Sequence, residues 1–378
     1  MLAEKTLAVD RFPAAKATNR PEETFMETDN GMTRRNFLRN AAAVSAGSLT
    51  PASFQSTDIG ARNQSARVGQ SNSQVPKRPL GKTGLQVSII GLGGYHLGST
   101  KDQSETTEIV ARAMDAGINF FDNCWEYHDG LSEERVGTAL QGKRDKAIVM
   151  TKVCTHGRKK DVAMQMLEES LRRLRTDHLD VWQIHEVIYE NDPEMIFAPG
   201  GAAEALLEAK QQGKVRFIGF TGHKDPSIHL KMLSHDFPFD TIQMPLNCFD
   251  ATFRSFETHV LPEANRRGIA VFGMKSLGGS GEMIRKGAVT PKDGLSYAMS
   301  LPVATTISGI ESADVLEQNL EIAREFKPLD EPAMKLLREK CQKIAADGRL
   351  EFFKTTKKYD GAIGRQQHHY PTVEELPA

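Results

Sequence analysis

The stretch INFFDNCWEY, residues 118–127, begins with a short apolar run and continues with an acid, Asp122, and a phenol, Tyr127. The apolar run has the composition of a buried strand. Burying a carboxylate beside a phenol costs free energy unless neighbouring groups pair with them. The stretch therefore predicts a strand whose carboxyl end opens into a polar site.

Seven further apolar or β-branched runs occur from Lys77 onward, and each is followed by a helical pattern. The eight runs are VSIIGLGG (87–94), INFFD (118–122), AIVMTKV (147–153), LDVWQIH (179–185), VRFIGFTG (215–222), TIQMPLN (241–247), IAVFGMKSL (269–277) and VATTISGI (303–310). Runs this apolar indicate strands that are buried on both faces, as parallel strands covered by helices are. Eight such units predict an α/β protein with a closed (β/α)8 barrel, a TIM barrel. A doubly wound open sheet is the alternative, because it also alternates strands with helices.

The barrel is expected to have three flanking features. The stretch KRPLGKTGLQV (77–87) predicts a β-hairpin with Gly81 and Gly84 at its turn, which would cap the barrel floor. The helical stretch MKLLREKCQKIAADG (334–348) would complete the outer ring. We expect a signal region and linker over 1–75, the barrel over 76–347 and a C-terminal extension over 348–378. The extension would either fold over the barrel mouth or pack on the outer helices.

Composition excludes several classes of function. The net charge of −1 offers no basic field for nucleic acid or an anionic membrane surface. The four cysteines are far apart and form no C-x-x-C pair, which argues against a zinc site, an iron–sulfur cluster or a disulfide framework. We therefore expect no metal, no nucleic-acid partner and no transmembrane span, since no run approaches the roughly 20 apolar residues that a span requires.

The N-terminal region contains a candidate export signal. TRRNFLRN (33–40) places Arg34 beside Arg35 and is followed by the mildly apolar AAAVSAGSLTPASF (41–54), a pattern that resembles a twin-arginine (Tat) signal. A disordered basic tail is the alternative. The signal predicts the Tat export machinery as a partner and a periplasmic or extracytoplasmic location, or a cytoplasmic one if the signal is not used. The Tat route carries folded proteins, which implies a cofactor assembled before export.

Four side chains stand at the carboxyl ends of three consecutive predicted strands, where barrel enzymes place their chemistry. Asp122 and Tyr127 follow the second strand, Lys152 ends the third and His185 ends the fourth. Tyr127 could transfer a proton at a substrate oxygen if Lys152 lowers its pKa. Asp122 would orient the lysine, and His185 would bind the same oxygen. These residue types predict a site that interconverts a carbonyl and an alcohol.

Most of the sequence also resembles a known family. The segments FFDNCWEYHDGLSEERVGTAL, IVMTKV, LDVWQIH, GKVRFIGFTG, TIQMPLN and GIAVFGMKSLGG are similar to the aldo-keto reductases, from about Arg78 to Ala346. The resemblance implies that Asp122, Tyr127, Lys152 and His185 form the family's catalytic tetrad, with Tyr127 as the general acid in reduction. It also implies an NAD(P)H-dependent oxidoreductase acting on CH–OH donors, which binds NADP(H) or NAD(H) without a Rossmann domain.

The resemblance further implies where the cofactor binds. Thr221 and Gln243 would hold the nicotinamide carboxamide, whereas Gly222 stands where the family has an asparagine. Met274 would stack on the nicotinamide, since a polarizable thioether packs well on a ring, and Lys275 would bind the pyrophosphate. The full implied set is Gly93, Gly94, Thr221, Gly222, Gln243, Met274, Lys275, Ser276, Leu277, Gly309, Gln318 and Asn319.

The adenosine segment SGIESADVLEQNL (308–320) leaves the choice of cofactor open. Gln318 and Asn319 would hold the adenine. Glu311, Ser312 and Val315 stand where the family has a lysine or arginine that reads the 2′-phosphate. A carboxylate repels that phosphate but accepts a hydrogen bond from a free ribose hydroxyl. NADPH, the habit of the family, and NADH are both expected candidates.

Substrate and reaction type are less well defined. Tyr95 and Trp125 are expected to wall the pocket, which would suit aryl aldehydes and sugar rings. An oxidoreductase for an aldehyde or ketone is the leading hypothesis. The alternatives are an exported enzyme with a tightly bound, internally recycled cofactor, which acts as an epimerase or hydride-transfer mutase, and a cofactor-sensing binding subunit.

Overall fold

The computed structural model describes residues 74–154, 157–279, 281–367, 369–372 and 374–375. The twin-arginine stretch at 33–40 lies outside these ranges, so the predicted signal remains a prediction. Within the ranges, no helix combines the length and the apolar character that crossing a bilayer requires.

Ten strands are present in the described part of the chain. They are β1 Lys77–Pro79, β2 Gln86–Ser88, β3 Ile90–Gly93, β4 Phe120–Asp122, β5 Ile148–Val153, β6 Leu179–Ile184, β7 Val215–Thr221, β8 Thr241–Pro245, β9 Ala270–Met274 and β10 Thr305–Gly309. Strands β3 to β10 pair in parallel with their sequence neighbours, and β10 pairs with β3 to close the barrel. The predicted (β/α)8 barrel is confirmed, and the open sheet is excluded.

Helices cover the outside of the barrel. The bounds are α1 Gly94–Gly98, α2 Gln103–Asp115, α3 Leu131–Ala139, α4 Lys160–Leu174, α5 Asp192–Phe197, α6 Ala202–Gln211, α7 Pro226–Ser234, α8 Phe256–His259, α9 Leu261–Arg267, α10 Glu282–Arg285, α11 Pro291–Ser300, α12 Ala313–Arg324, α13 Glu331–Ala345, α14 Phe352–Thr355 and α15 Ala362–Gln367. Helix α2 illustrates why they form. It buries Thr106, Ile109, Val110 and Ala113, which share one face at helical spacing, and the Asp102 side chain caps its first turn.

The hairpin of β1 and β2 closes the amino end of the barrel. Its turn places Gly81 and Gly84 at φ 52° and 80°, in the region that favours glycine. Leu80 and Val87 from the hairpin are fully buried and belong to one apolar cluster with the first residues of several strands, among them Phe120. With the floor sealed by this cluster, the carboxyl end of the barrel is left as the mouth.

The C-terminal extension reaches that mouth through residues 351–361, which we call the C-terminal strap. Lys354 is buried, and its ammonium lies 2.6 Å from the Asp250 carboxylate. Lys224, which follows β7, donates to the carbonyl oxygen of Thr356 at 2.8 Å. Lys275, which follows β9, donates to the hydroxyl of Tyr359 at 2.9 Å. Of the two expected placements, these contacts correspond to folding over the mouth.

Candidate active site

A buried ion pair lies at the centre of the mouth. Asp122 ends β4 and Lys152 lies near the end of β5, and they are 4% and 1% exposed. The Lys152 ammonium is 2.5 Å from Oδ1 of Asp122 and donates to the carbonyl oxygen of Asn123 at 2.7 Å. Burial raises the pKa of Asp122, although the charge of Lys152 opposes the rise. Two buried charges are tolerated because each has a partner.

Tyr127 completes a chain of contacts with this pair. Its hydroxyl lies 3.3 Å from Nζ of Lys152, and the same ammonium lies 4.9 Å from the centre of its ring. The turn that begins at Tyr127 is held by His128 and Asp129 at φ 52° and 55°. Non-glycine residues in this region carry strain, which is common at functional sites. The structure therefore brings three of the four predicted catalytic residues into direct contact.

The pKa of Tyr127 differs from the expectation. The sequence suggested that Lys152 would lower it, but burial raises the pKa well above the usual value for a phenol, and the nearby Asp122 carboxylate adds to the rise. The reason is that desolvation disfavours the phenolate more than one lysine favours it. The hydroxyl therefore keeps its proton at neutral pH and can act as a proton donor.

His185, directly after β6, is the fourth member. Its ring packs edge-on to that of Tyr127, with 5.8 Å between the ring centres. Nδ1 lies 2.6 Å from Oε1 of Glu126 and 3.2 Å from the Cys124 sulfur. Burial lowers the pKa of His185, while the Glu126 carboxylate acts in the opposite direction. Because the hydrogen bonds of the ring use Nδ1, the opposite nitrogen, Nε2, is left for the pocket.

Glycine is required where the first barrel strand meets this site. A Cβ atom on Gly94 would lie 2.3 Å from the carbonyl oxygen of Asp122, and one on Gly93 would lie 3.1 Å from the carbonyl oxygen of Ser308. The backbone of β3 and α1 can therefore approach Asp122 only because no side chain intervenes.

The predicted carboxamide contacts lie beside the ion pair. Gln243 is buried, and it lies close enough to Asp122 to oppose the rise in the pKa of that carboxyl. Among the described residues, Oε1 of Gln243 and Nε2 of the buried His223 have no hydrogen-bond partner. Thr221 is buried at the end of β7. Unsatisfied buried polar atoms are costly, and a carboxamide, which both donates and accepts, fits this set.

Gly222 cannot be replaced by the asparagine that the family resemblance implies. A Cβ atom there would lie 2.2 Å from the carbonyl oxygen of Val187 and 2.7 Å from the ring of His229. The backbone of the neighbouring segment fills the space. Any third contact to a carboxamide must therefore come from another residue, and His223 is the adjacent candidate.

The segment after β9 is already in contact with the strap. Lys275, at φ 55°, bonds Tyr359, and its ammonium lies 5.2 Å from the centre of the Phe353 ring. Met274, the last residue of β9, is partly buried, as is Leu277, whereas Ser276 is buried. The ammonium predicted for the pyrophosphate thus lies at the mouth, engaged by the strap.

The predicted adenosine residues lie around the end of β10. Gly309 pairs with Gly93, and a Cβ on Gly309 would lie 2.3 Å from the ring of His96. Asn319 is buried and donates to the Ser308 hydroxyl at 3.1 Å, while Gln318 is partly exposed. The Ser312 hydroxyl caps α12. The amide of Asn319 therefore already has a role in holding its helix to the barrel.

The two aromatic residues expected to wall the pocket have different partners. Tyr95 is 44% exposed and packs edge-on to Tyr127, with 5.6 Å between ring centres. The indole of Trp125 instead donates to Glu169 at 2.8 Å and lies under Arg173. Both of these partners belong to α4, on the outside of the barrel. Tyr95 lies against the Tyr127 ring, whereas the indole of Trp125 contacts the outer helix.

Two carboxyl groups at the site were missed by the sequence reasoning. Glu126 immediately precedes Tyr127, and Glu186 immediately follows His185, so adjacency to predicted catalytic residues was the available signal. Glu186 has φ 48°, and its Oε2 is buried without a hydrogen-bond partner among the described residues. Burial raises the pKa of Glu186 to about 8.

Cys124, Glu126 and His185 also offer ligand atoms that lie within 4.8 Å of one another, close enough to hold a metal ion. The Glu126 carboxylate is already used in hydrogen bonds. It lies 2.6 Å from Nδ1 of His185 and accepts from the Cys154 thiol at 2.7 Å. These side chains therefore also form a hydrogen-bond network.

Comparison with known proteins identifies a family. The model of the Aldo/keto reductase family matches residues 89–293, more than half of the chain. Aldo-keto reductase YhdN of Bacillus subtilis is 32% identical over 199 residues, which are 49% of this chain and 57% of that protein. L-galactose dehydrogenase of Arabidopsis thaliana is 35% identical over 160 residues, 40% of this chain and 49% of that protein. The chain thus spans about half the length of these curated relatives.

Solved structures match over a longer stretch. The holo form of aldo-keto reductase AKR11C1 from Bacillus halodurans superimposes with a TM-score of 0.58 and 26% identity, covering 71% of this chain and 96% of that one. Residues 89–293, which the family model matches, include all four residues of the predicted tetrad. This chain belongs to the aldo/keto reductase family.

Proposed function

We propose that the protein interconverts an aldehyde or ketone and the corresponding alcohol, with NAD(P)H as hydride donor and Tyr127 as proton donor. One observation carries the proposal. The Tyr127 hydroxyl lies 3.3 Å from the Lys152 ammonium, which is itself 2.5 Å from the Asp122 carboxylate. A protonated phenol beside a paired ammonium suits the protonation of an oxygen that gains negative charge.

Each of the four site residues has its own role in the proposed reaction. Tyr127 gives its proton to the carbonyl oxygen, and Lys152 stabilises the phenolate that results. Asp122 keeps the ammonium in place, because a buried lysine without a partner would lose its charge. His185 lies edge-on to the phenol and directs the substrate oxygen toward it. In the oxidation direction the phenolate takes the proton back.

A nicotinamide cofactor supplies the hydride when it is bound. Gln243, Thr221 and His223 would hold its carboxamide, since Oε1 of Gln243 and Nε2 of His223 lack partners among the described residues. Lys275, which also donates to the Tyr359 hydroxyl, would meet the pyrophosphate. Either NADH or NADPH fits these contacts.

Replacing Tyr127 with phenylalanine tests the proposal. We expect turnover of aldehydes, ketones and sugars, followed by nicotinamide absorbance, to fall by about 10²–10⁴-fold, the usual contribution of a positioned acid. Cofactor affinity should be unchanged. Sugars belong in the screen because one relative bears the name of a sugar dehydrogenase. Tyr370→Phe, at an exposed tyrosine, is the matched control. Normal turnover by Tyr127→Phe would refute the proposal.

A second version, in which the cofactor stays bound and is recycled within each turnover, is supported by the strap. The ammonium of Lys354 is buried against Asp250 and Glu351, at 2.6 and 3.0 Å. The strap also meets Lys224 and Lys275, at the ends of β7 and β9. A cofactor lying between the strap and these strand ends would exchange slowly, because several buried contacts must open together. Such an enzyme would act as an epimerase or hydride-transfer mutase.

The two versions differ in a simple measurement. Retention predicts purified protein with about one cofactor per chain and turnover without added cofactor. Tyr359→Phe, which removes the hydroxyl that Lys275 binds, should accelerate cofactor release in that case. Protein that arrives free of cofactor and requires NAD(P)H for every turnover would favour the simple reductase.

We also propose export by the twin-arginine route, on the basis of Arg34 and Arg35. Replacing both with lysine keeps the charge but removes the motif. The variant should remain in the cytoplasm while the parent protein is recovered outside it. Equal distribution of the two proteins between cell fractions would contradict export by this route.

A further inference from the structure

We propose that Glu126 is a positioning residue for His185. Its carboxylate keeps a proton on Nδ1 of the imidazole, so that Nε2 faces the substrate oxygen. The inference rests on the proposed carbonyl chemistry and deepens it. It assigns a role to a carboxylate that lies next to the catalytic tyrosine in sequence but contacts the catalytic histidine, 59 residues away.

The carboxylate is held from two sides. Oε1 of Glu126 lies 2.6 Å from Nδ1 of His185, and Oε2 accepts from the Cys154 thiol at 2.7 Å. The side chains of Glu126 and His185 are only 12% and 11% exposed. Since both oxygens are engaged in a mostly buried site, the carboxylate has little freedom to leave the imidazole. Short hydrogen bonds to ionised groups are among the stronger ones in proteins.

The Glu126 carboxylate determines which nitrogen of His185 carries the proton. An ionised carboxylate only accepts hydrogen bonds, so Nδ1 must carry a proton to bond it. Nε2 of the neutral ring is then an acceptor, which suits the hydroxyl of an alcohol. When the ring gains a second proton, Nε2 becomes a donor for a carbonyl oxygen, and Glu126 balances the charge. Glu126 thereby sets both the tautomer of the ring and its ease of protonation.

The other groups that face the ring have smaller or opposing effects. From the ends of β4 and β5, Asp122 favours the protonated ring, whereas Lys152 disfavours it. The Cys124 thiol meets Nδ1 at 3.2 Å, and the Tyr127 ring lies edge-on. His223, which follows β7, is close enough to His185 for the two rings to interact electrostatically. The Arg158 guanidinium binds the backbone oxygen of His185 and not its ring. Among the side chains named here, Glu126 makes the shortest contact with the imidazole.

The test compares Glu126→Gln with Glu126→Asp. Glutamine keeps the size but removes the charge, so protonation of His185 becomes harder. The pH profile of kcat/KM for carbonyl reduction should shift to lower pH by about one unit, and kcat/KM at neutral pH should fall about tenfold, which is what one pKa unit is worth. Aspartate keeps the charge and should restore part of the loss. Glu134→Gln, an exposed glutamate on α3, is the matched control.

Imidazole ¹⁵N NMR provides a readout that needs no turnover. We expect the parent protein to carry the proton on Nδ1 of His185 and Glu126→Gln to lose this preference, with the signal assigned through a His185→Gln sample. An unchanged pH profile together with an unchanged tautomer would overturn the proposal. So would stoichiometric metal in the purified protein that disappears in Glu126→Gln, because the cluster would then be a metal site. If Tyr127→Phe stays active while the tautomer responds as expected, the proposed reaction fails and the positioning role stands.

Discussion

The ammonium of Lys152 lies 2.5 Å from the carboxylate of Asp122, and neither side chain has appreciable contact with solvent. The two charges come from neighbouring strands, β4 and β5. Their burial is tolerable only as a pair, since a lone buried charge has no water to stabilise it. This dependence can be measured.

Lys152→Met or Asp122→Asn alone should each lower the free energy of unfolding by about 3 kcal/mol, because each leaves a buried group without its partner. The double variant should lose less than the sum of the two. Urea unfolding of the four proteins gives the coupling energy. All three variants should have little turnover, since Tyr127 loses its stabilised environment in each. Strictly additive losses of stability would show that the pair is not coupled.

Glu311 provides a test of cofactor choice. It stands where the family resemblance implies a basic residue for the 2′-phosphate, and Ser312 beside it is engaged in capping α12. Glu311→Lys should lower the KM for NADPH by about tenfold relative to NADH, because it replaces repulsion of the phosphate by attraction. Glu321→Lys, at an exposed glutamate near the C-terminal end of α12, is the control. Equal shifts in the two variants would indicate a general charge effect.

His229 should contribute to acid sensitivity. It is fully buried, and both ring nitrogens lack hydrogen-bond partners among the described residues. Burial lowers the pKa of His229 to about 3, from an ordinary value of 6.5. Between these values the unfolded chain binds a proton that the folded chain excludes, so stability is present above pH 6.5 and is lost as the pH falls.

Replacing His229 with leucine, which does not titrate, should flatten this loss. The loss in the parent protein can reach about 1.4 kcal/mol per pH unit within the window. Thermal unfolding between pH 7 and pH 4 provides the comparison, with His259→Leu at an exposed position as control. If the acid limbs of all three proteins coincide, His229 does not contribute.

Glu186 should lower the stability of the folded protein at alkaline pH. Its pKa is raised to about 8, above the ordinary value of 4.5. Between these values the folded protein holds a proton that the unfolded chain has lost, so stability falls as the pH rises from about 4.5 to 8. Glu186→Gln should raise the melting temperature by a few degrees at pH 9 and leave it unchanged at pH 4. Glu190→Gln, at an exposed neighbouring position, should have no effect at either pH.

Local patterns were sufficient for the architecture. The apolar run Phe120–Phe121 predicted a strand because burial of a short segment on both faces is recorded in its own residues. The hairpin followed in the same way from Gly81 and Gly84, whose positive φ angles suit a tight turn. The proximity of Asp122, Tyr127, Lys152 and His185 could be predicted because strand ends in a closed barrel meet at one rim.

Contacts between distant segments were beyond that reasoning. The sequence left open whether the C-terminal extension covers the mouth, and the strap is held there by Lys275 and Tyr359, 84 residues apart. Trp125 was expected in the pocket, but Glu169 and Arg173 hold its indole on the outer helix. Which way a loop side chain turns depends on the partners that the folded chain brings to it.

The sequence by itself determined the barrel, its hairpin floor and the kinds of group at its rim, because periodicity and residue type report on each segment separately. Only the tertiary structure decided that burial raises the pKa of the Tyr127 phenol although Lys152 is close, and that Glu126 meets His185. Desolvation and side-chain direction arise from the whole packed surroundings of a residue. No single segment contains that information.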